Sequence, residues 1–150
     1  MNYDFVPLPS RKPLKWPNDA RLALIVTINV EYWDLLKDTE KPYYAGGPSI
    51  LPDPLPGNVA DYPNYSWREY GQRVGVWRMI DAFDQAGVPA SVTINAKAGL
   101  ERRQIIDAVN SRGWEIVAHN YVQTDLLSNH FSEPEKEREV IRETLRVYEE

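Results

Sequence analysis

Leu22-Ala23-Leu24-Ile25-Val26-Thr27-Ile28-Asn29-Val30-Glu31 is an apolar run that ends in a polar tip, and Ala90-Ser91-Val92-Thr93-Ile94-Asn95 ends in the same way. A third run, Trp114-Glu115-Ile116-Val117-Ala118-His119-Asn120, ends in one of the chain's two histidines. Apolar, β-branched runs separated by helical patterns predict parallel strands that are buried on both faces. Because α/β sheets place ligands beyond the carboxyl ends of such strands, we expect five polar side chains to converge there. These are Asn29, Glu31, Asn95, His119 and Asn120.

The segments between these strands predict helices. Apolar residues at helical spacing favour helices over about residues 67–86 and 99–111, and Gly87-Val88-Pro89 is typical of a helix end. Ser132-Glu133-Pro134-Glu135 has the outline of a capping box that opens a last helix. The predicted order is strand, loop, helix, strand, helix, strand, loop, helix.

Prolines mark two irregular segments. Residues 1–20 contain four prolines, which exclude a regular helix or a central strand and predict an extended arm. Residues 34–66 contain six prolines and several tyrosines, which predict a long loop too aromatic to be a simple tether. We expect this loop to pack over the site or against another subunit.

Composition narrows the class of protein. The chain has 150 residues, of which 43% are hydrophobic and 26% charged, and these values are typical of a globular domain. A net charge of -5 without a basic cluster argues against nucleic-acid and membrane-surface partners. The absence of cysteine excludes disulfides and thiolate metal sites. Because no signal peptide or membrane-spanning stretch is visible, we expect a cytoplasmic location.

Four motifs together resemble the polysaccharide deacetylase (NodB-homology) family, and within it the cofactor-independent, allantoinase-like branch. The most specific motif is Trp67-Arg68-Glu69-Tyr70-Gly71-Gln72-Arg73-Val74-Gly75-Val76-Trp77-Arg78. The others are Thr27-Ile28-Asn29-Val30-Glu31, Gly87-Val88-Pro89-Ala90-Ser91-Val92-Thr93 and Gly113-Trp114-Glu115-Ile116-Val117-Ala118-His119-Asn120-Tyr121. The resemblance extends over most of residues 20–150.

The resemblance implies an α/β fold with a parallel sheet, the N-terminal half of a distorted (β/α) barrel of about seven strands. Residues 1–150 would then be part of a single deacetylase-like catalytic domain that is incomplete at the C-terminus. Because a sheet of three parallel strands leaves an unpaired edge, we expect the chain to continue; the alternatives are that another chain completes the sheet or that the last helix packs back on a small three-layer domain. A homo-oligomer is the expected state.

The resemblance also indicates whether a metal-binding site is expected. Metal-dependent members carry a motif resembling Thr-Phe-Asp-x-Asp, with a base and a ligand, where this chain has Asn29 and Glu31. They also carry a second histidine four residues after the first, where Gln123 follows His119. A catalytic zinc normally has three protein ligands, so no cofactor is expected, and a divalent zinc ion is the less favoured alternative.

A mechanism can be built from the remaining groups. Hydrolysis of an amide or ureide requires a base for water and an acid for the leaving nitrogen, and an imidazole oriented by a carboxylate can serve as both. The hypothesis is that His119 and Glu31 are catalytic and that the amide side chains and aromatic rings near them bind an amide, ureide or amino-sugar substrate. The predicted binding residues are Asn29, Asn95, Asn120, Tyr121 and Trp33.

Two alternatives remain open. One is a metal-dependent carbohydrate de-N-acetylase whose missing ligands come from Asp34, Asp125 or His130. The other is a catalytically inactive ligand-binding or assembly module of the same fold. His130 itself is expected to be solvated at a helix entry. Arg68, Glu69 and Arg73 are expected to form an ion-pair cluster at a helix start.

Overall fold

A computed structural model describes residues 4–33, 52–53 and 59–149 of the chain. Most of the predicted 34–66 loop, together with the candidate ligand Asp34, lies outside these residues. The described part of the arm, residues 4–20, is exposed throughout and contains two short 3-10 helices, Leu8–Ser10 and Pro17–Asp19. No helix in the described ranges is long and apolar enough to cross a membrane.

Within these residues, the centre of the fold is a parallel sheet of three strands in sequential order: β1 (Thr27–Val30), β2 (Ser91–Ile94) and β3 (Glu115–Ala118). The predicted first strand was too long. Leu22, Leu24 and Ile25 are each more than three-quarters exposed and precede the strand. Their apolar character predicts a strand, but the pairing of β1 with β2 begins only at Thr27.

The first helical region runs through α1 (Tyr62–Tyr70), a π-helical turn (Gly71–Gly75) and α2 (Val76–Ala86). It begins five residues before the predicted start, because Asp61 caps it by accepting a hydrogen bond from the Asn64 N–H at 3.1 Å. The predicted end is confirmed: Gly87 adopts φ 65°, a left-handed conformation that favours glycine.

The later helices are α3 (Ala96–Glu101), α4 (Arg103–Asn110) and α5 (Pro134–Glu149), with a 3-10 turn at Leu127–His130. The predicted capping box before α5 does not form. The Glu135 carboxylate pairs with Arg138 instead, and the Glu133 carbonyl accepts the first helical hydrogen bond, from Glu137 at 3.1 Å.

The sheet is buried on one face, not on both as predicted. Ile28, Val92 and Ile94 pack on this face against α2 and α4, with Val76, Ile80, Ile105 and Val109. Crossovers between parallel strands are nearly always right-handed, which agrees with α2 and α4 packing on the same face. The opposite face is polar: Thr93 donates a hydrogen bond to Asn29 and Ser91 donates one to Glu115. Helices outside and polar side chains inside form the arrangement of part of a (β/α) barrel.

Candidate functional site

Asn95 joins the three strand ends. Its side chain is fully buried; Oδ1 accepts a hydrogen bond from the Tyr32 N–H at 2.7 Å, and Nδ2 donates one to the His119 carbonyl. These bonds connect the segment after β1 with the end of β3 across β2. Since backbone groups bind both the oxygen and the nitrogen of the amide, the Asn95 side chain links the segment after β1 to the segment after β3.

Glu31 and His119 lie close together on the two backbone segments that Asn95 links. His119 Nε2 lies 3.7 Å from Glu31 Oε1, and both side chains are partly exposed. The other carboxylate oxygen, Oε2, accepts a hydrogen bond from the Trp33 indole at 3.2 Å. The Glu31 backbone carbonyl accepts one from Gln72 Nε2 at 2.6 Å. Glu31 is therefore held at two points and presents its remaining oxygen to the imidazole.

Unsatisfied polar atoms concentrate around Glu31. Across residues 4–33, 52–53 and 59–149, two buried side-chain polar atoms lack a hydrogen-bond partner, Gln72 Oε1 and His119 Nε2. Both belong to side chains that approach Glu31. Because buried polar groups in proteins are nearly always satisfied, such a concentration is typical of a functional site.

Trp33 and Arg68 form one wall. Trp33 is 6% exposed, and the Arg68 guanidinium lies 3.8 Å from the centroid of its ring. A cleft of about 240 Å³ opens on this side, and Asn29, Glu31 and Gln72 also line it. The predicted ion pair between Glu69 and Arg73 is confirmed, at 2.7 Å. Glu69 also pairs with Arg102, at 3.2 Å. Arg68, which was expected to join this cluster, stacks on Trp33.

The other predicted binding residues occupy different surroundings. Asn29 is exposed on the polar sheet face, and its Oδ1 accepts the Thr93 hydroxyl. Asn120 adopts φ 60°, and its Nδ2 donates to the Asp125 carbonyl at 2.5 Å. Tyr121 lines a separate groove beside α5. The structure thus places Asn29 beside Glu31, Asn120 against the Asp125 carbonyl and Tyr121 in the groove beside α5.

His130 corrects the expectation of a solvated side chain. It is 5% exposed, and its Nε2 lies 2.9 Å from Asp125 Oδ1. The 3-10 turn at Leu127–His130 brings the imidazole back toward Asp125, a placement for which the sequence has no periodic signal.

Sequence reasoning missed two residues. Gln72 reaches Glu31 from the π-helical turn, and the glycines at both ends of that turn are the one sequence signal for it. Tyr148 of α5 donates its hydroxyl to the Ile94 carbonyl at the end of β2. Burial raises the pKa of Tyr148, so the hydroxyl keeps its proton at neutral pH.

The donor set does not match a three-ligand zinc site. Glu31 and His119 provide one carboxylate and one imidazole, and no group of three His, Asp or Glu side chains lies together within the described ranges. A catalytic zinc normally takes three protein ligands. The alternative donors Asp125 and His130 pair with each other.

Comparison with known proteins agrees with this architecture. No family model and no curated protein matches the chain. A solved structure of a "probable polysaccharide deacetylase" from Pseudomonas aeruginosa PAO1 is similar, with 28% identity and a TM-score of 0.77. The Puue allantoinase structure is similar at 27% identity and a TM-score of 0.78. Each match covers 99% of this chain and 49% of the solved chain.

A structure from Mycobacterium smegmatis, at 21% identity and a TM-score of 0.67, shares the fold. The chain thus spans about half the length of the structures it matches, and the resemblance stated from its motifs is confirmed.

Proposed function

We propose that this chain supplies catalytic groups to a hydrolase of carbon-nitrogen bonds other than peptide bonds. In this proposal His119 is the acid/base and Glu31 orients it. The observation that carries the proposal is the pair itself: a buried imidazole nitrogen without a hydrogen-bond partner lies 3.7 Å from Glu31 Oε1, and the other carboxylate oxygen, Oε2, accepts a hydrogen bond from Trp33. The similar structures are those of a polysaccharide deacetylase and an allantoinase, hydrolases of this general kind.

The proposed reaction has two proton transfers. Neutral His119 takes a proton from water as the water oxygen attacks the substrate carbonyl carbon. The protonated ring then gives this proton to the leaving nitrogen as the carbon-nitrogen bond breaks, which yields a carboxylic acid and an amine. Glu31 stabilises the transient imidazolium, and such acid/base assistance typically contributes about a hundredfold or more.

Asn29 is the proposed donor to the substrate carbonyl. Its Oδ1 is engaged by Thr93, so its Nδ2 is the end of the amide available to a ligand. Asn29 also lines the cleft beside Glu31. A positioned amide donor stabilises the negative charge that develops on a carbonyl oxygen during attack, an effect worth a few kcal/mol. Small amides, ureides and N-acetylated amino sugars are the proposed substrates.

We propose further that the reaction needs no metal, because the described donor set offers two ligands where a catalytic zinc takes three. The test uses the full-length protein, a panel of cyclic ureides and N-acetylated amino sugars, and an excess of chelator. Activity should survive chelation. His119→Ala should lower kcat/KM by at least about a hundredfold, whereas Gln104→Ala, an exposed helix position, should leave it unchanged.

Activity that disappears with chelator and returns with Zn²⁺ would favour the metal-dependent de-N-acetylase. Undiminished activity in His119→Ala would remove His119 from catalysis. A folded protein that binds these compounds without turnover would favour the inactive binding module.

A further inference from the structure

The contacts of Glu31 point to a role for Trp33 that its aromatic ring does not suggest. We infer that Trp33 is a positioning residue: it fixes Glu31 so that His119 carries its hydrogen on Nε2 and keeps Nδ1 as the proton acceptor. This inference rests on the proposed function and specifies which ring nitrogen faces the substrate.

The first step is the orientation of the carboxylate. Trp33 donates its indole N–H to Glu31 Oε2 at 3.2 Å, and Gln72 donates to the Glu31 carbonyl at 2.6 Å. With the backbone and one oxygen held, Oε1 is the oxygen that faces His119. A carboxylate held in this way acts as a fixed acceptor.

The second step concerns the imidazole. His119 Nε2 is inaccessible to solvent, although 38% of the side chain is exposed. The exposed part of the side chain therefore lies on its other atoms. A neutral imidazole carries one hydrogen, and the surroundings of the two nitrogens determine which tautomer forms. Glu31 Oε1 lies 3.7 Å from Nε2, beyond hydrogen-bond distance, but its negative charge favours a hydrogen on that nitrogen, so the lone pair remains on Nδ1.

The third step explains why Trp33 is not a stacking platform for substrate. The ring is 6% exposed, and the Arg68 guanidinium covers one of its faces at 3.8 Å. Arg68 is itself held by a hydrogen bond to the Asn64 carbonyl at 3.2 Å. The cation on the ring and the hydrogen bond to Glu31 together lock the indole in place.

Trp33→Phe tests this role, because it keeps an aromatic ring beneath Arg68 and removes the N–H. The tautomer of His119 can be measured by ¹⁵N NMR of histidine-labelled full-length protein, at a pH well above the ordinary imidazole range. The wild type should show the Nε2–H tautomer, and Trp33→Phe should show a mixture. Trp77→Phe, the same substitution on the exposed side of α2, should match the wild type. In the assay, Trp33→Phe should lower kcat roughly fivefold and leave KM nearly unchanged.

An Nδ1–H tautomer in the wild type would overturn the inference, and so would a Trp33→Phe variant that raises KM without changing the tautomer. If Trp33→Phe does not fold, Glu31→Gln provides the same readout, since loss of the carboxylate should also mix the tautomers. The spectrum needs no turnover, so an inactive protein with the Nε2–H tautomer would contradict the proposed function alone. An active protein with the other tautomer would contradict this inference alone.

Discussion

Asn95 is the residue on which the geometry of the site depends most. Its amide satisfies the Tyr32 N–H and the His119 carbonyl at once, across a fully buried position. Glu31 precedes Tyr32 directly, so both members of the proposed catalytic pair are attached to backbone that Asn95 holds.

Asn95→Ala should therefore destabilise the protein. The substitution leaves a backbone donor and a backbone acceptor without partners, and each costs about 1–3 kcal/mol when it is buried. We expect the free energy of unfolding to fall by about 2–4 kcal/mol in urea denaturation. Asn110→Ala, at an exposed position of α4, is the control. A decrease in the free energy of unfolding below about 0.5 kcal/mol would show that the two Asn95 hydrogen bonds do not stabilise the fold.

The sequence predicts which residues gather at this site better than it predicts what each one does. Glu31, Asn95 and His119 were expected to converge because each follows a strand, and the structure brings them together. Their catalytic and binding roles remain predictions. The sequence pattern could not separate Asn95, whose amide binds backbone, from Asn29, which is proposed to bind substrate, because both are asparagines at a strand end.

Among the elements, the junctions that lead from α2 to β2 and from α4 to β3 each contain a glycine in the left-handed conformation, Gly87 and Gly113. Gly87 closes α2 with φ 65°, and a Cβ added there would contact nothing within 4 Å. Gly71, in the π-helical turn, has equally open surroundings but φ −55°. The two glycines therefore differ in backbone conformation and not in packing.

Alanine substitutions at Gly87 and Gly71 should therefore have different effects on the free energy of unfolding. Gly87→Ala should lower the free energy of unfolding by about 1 kcal/mol, because a side chain disfavours the left-handed conformation. Gly71→Ala should leave it unchanged or raise it by up to about 1 kcal/mol, because alanine restricts the unfolded chain and favours helix. Equal effects of the two substitutions in chemical denaturation would contradict the argument from φ.

An ion pair joins α2 to the turn before β3. Arg112 donates to both carboxylate oxygens of Asp84, at 2.6 to 3.0 Å. These hydrogen bonds lower the pKa of Asp84 and raise the pKa of Arg112.

Because the folded-state pKa of Asp84 is depressed, the pair should stabilise the fold above the ordinary carboxyl range and lose its effect as pH falls through the lowered value. Asp84→Asn should therefore be less stable than the wild type at pH 7, and the difference should shrink in strongly acidic solution. Urea denaturation across this pH range measures it, with Glu139→Gln at an exposed position of α5 as the control. A difference that persists unchanged into acid would contradict the assignment.

In the whole molecule, the sheet has one buried and one polar face. The sequence predicts the parallel order and the helices between the strands, because apolar periodicity reports on them directly. It did not predict the one-sided burial: Ser91, Thr93 and Asn29 alternate with the core residues, but such short strands show too few repeats to separate one buried face from two. Among the strands that the structure describes, the central one, β2, has hydrogen-bonded neighbours on both sides.

Native-state hydrogen exchange should be slower in the central strand, β2, than in β3. The Ser91 and Asn95 amides donate to the Val26 and Val30 carbonyls on the β1 side of β2 and should exchange only through the largest opening of the fold. The β3 amides, at Glu115 and Val117, lie in a strand that is exposed along most of its length and should exchange faster. Equal protection of β2 and β3 would show that the edge of β3 is covered.

The most direct test of the central claim is a double-mutant cycle on Glu31 and His119 in the full-length protein, measured as kcat/KM on the best substrate of the panel. If the two side chains act as one unit, Glu31→Gln should cost about tenfold or more in the wild type and add little in the His119→Ala background. The account predicts that the double variant will be about as active as His119→Ala alone. Losses that multiply would show that the two groups act independently and would contradict the proposed catalytic pair.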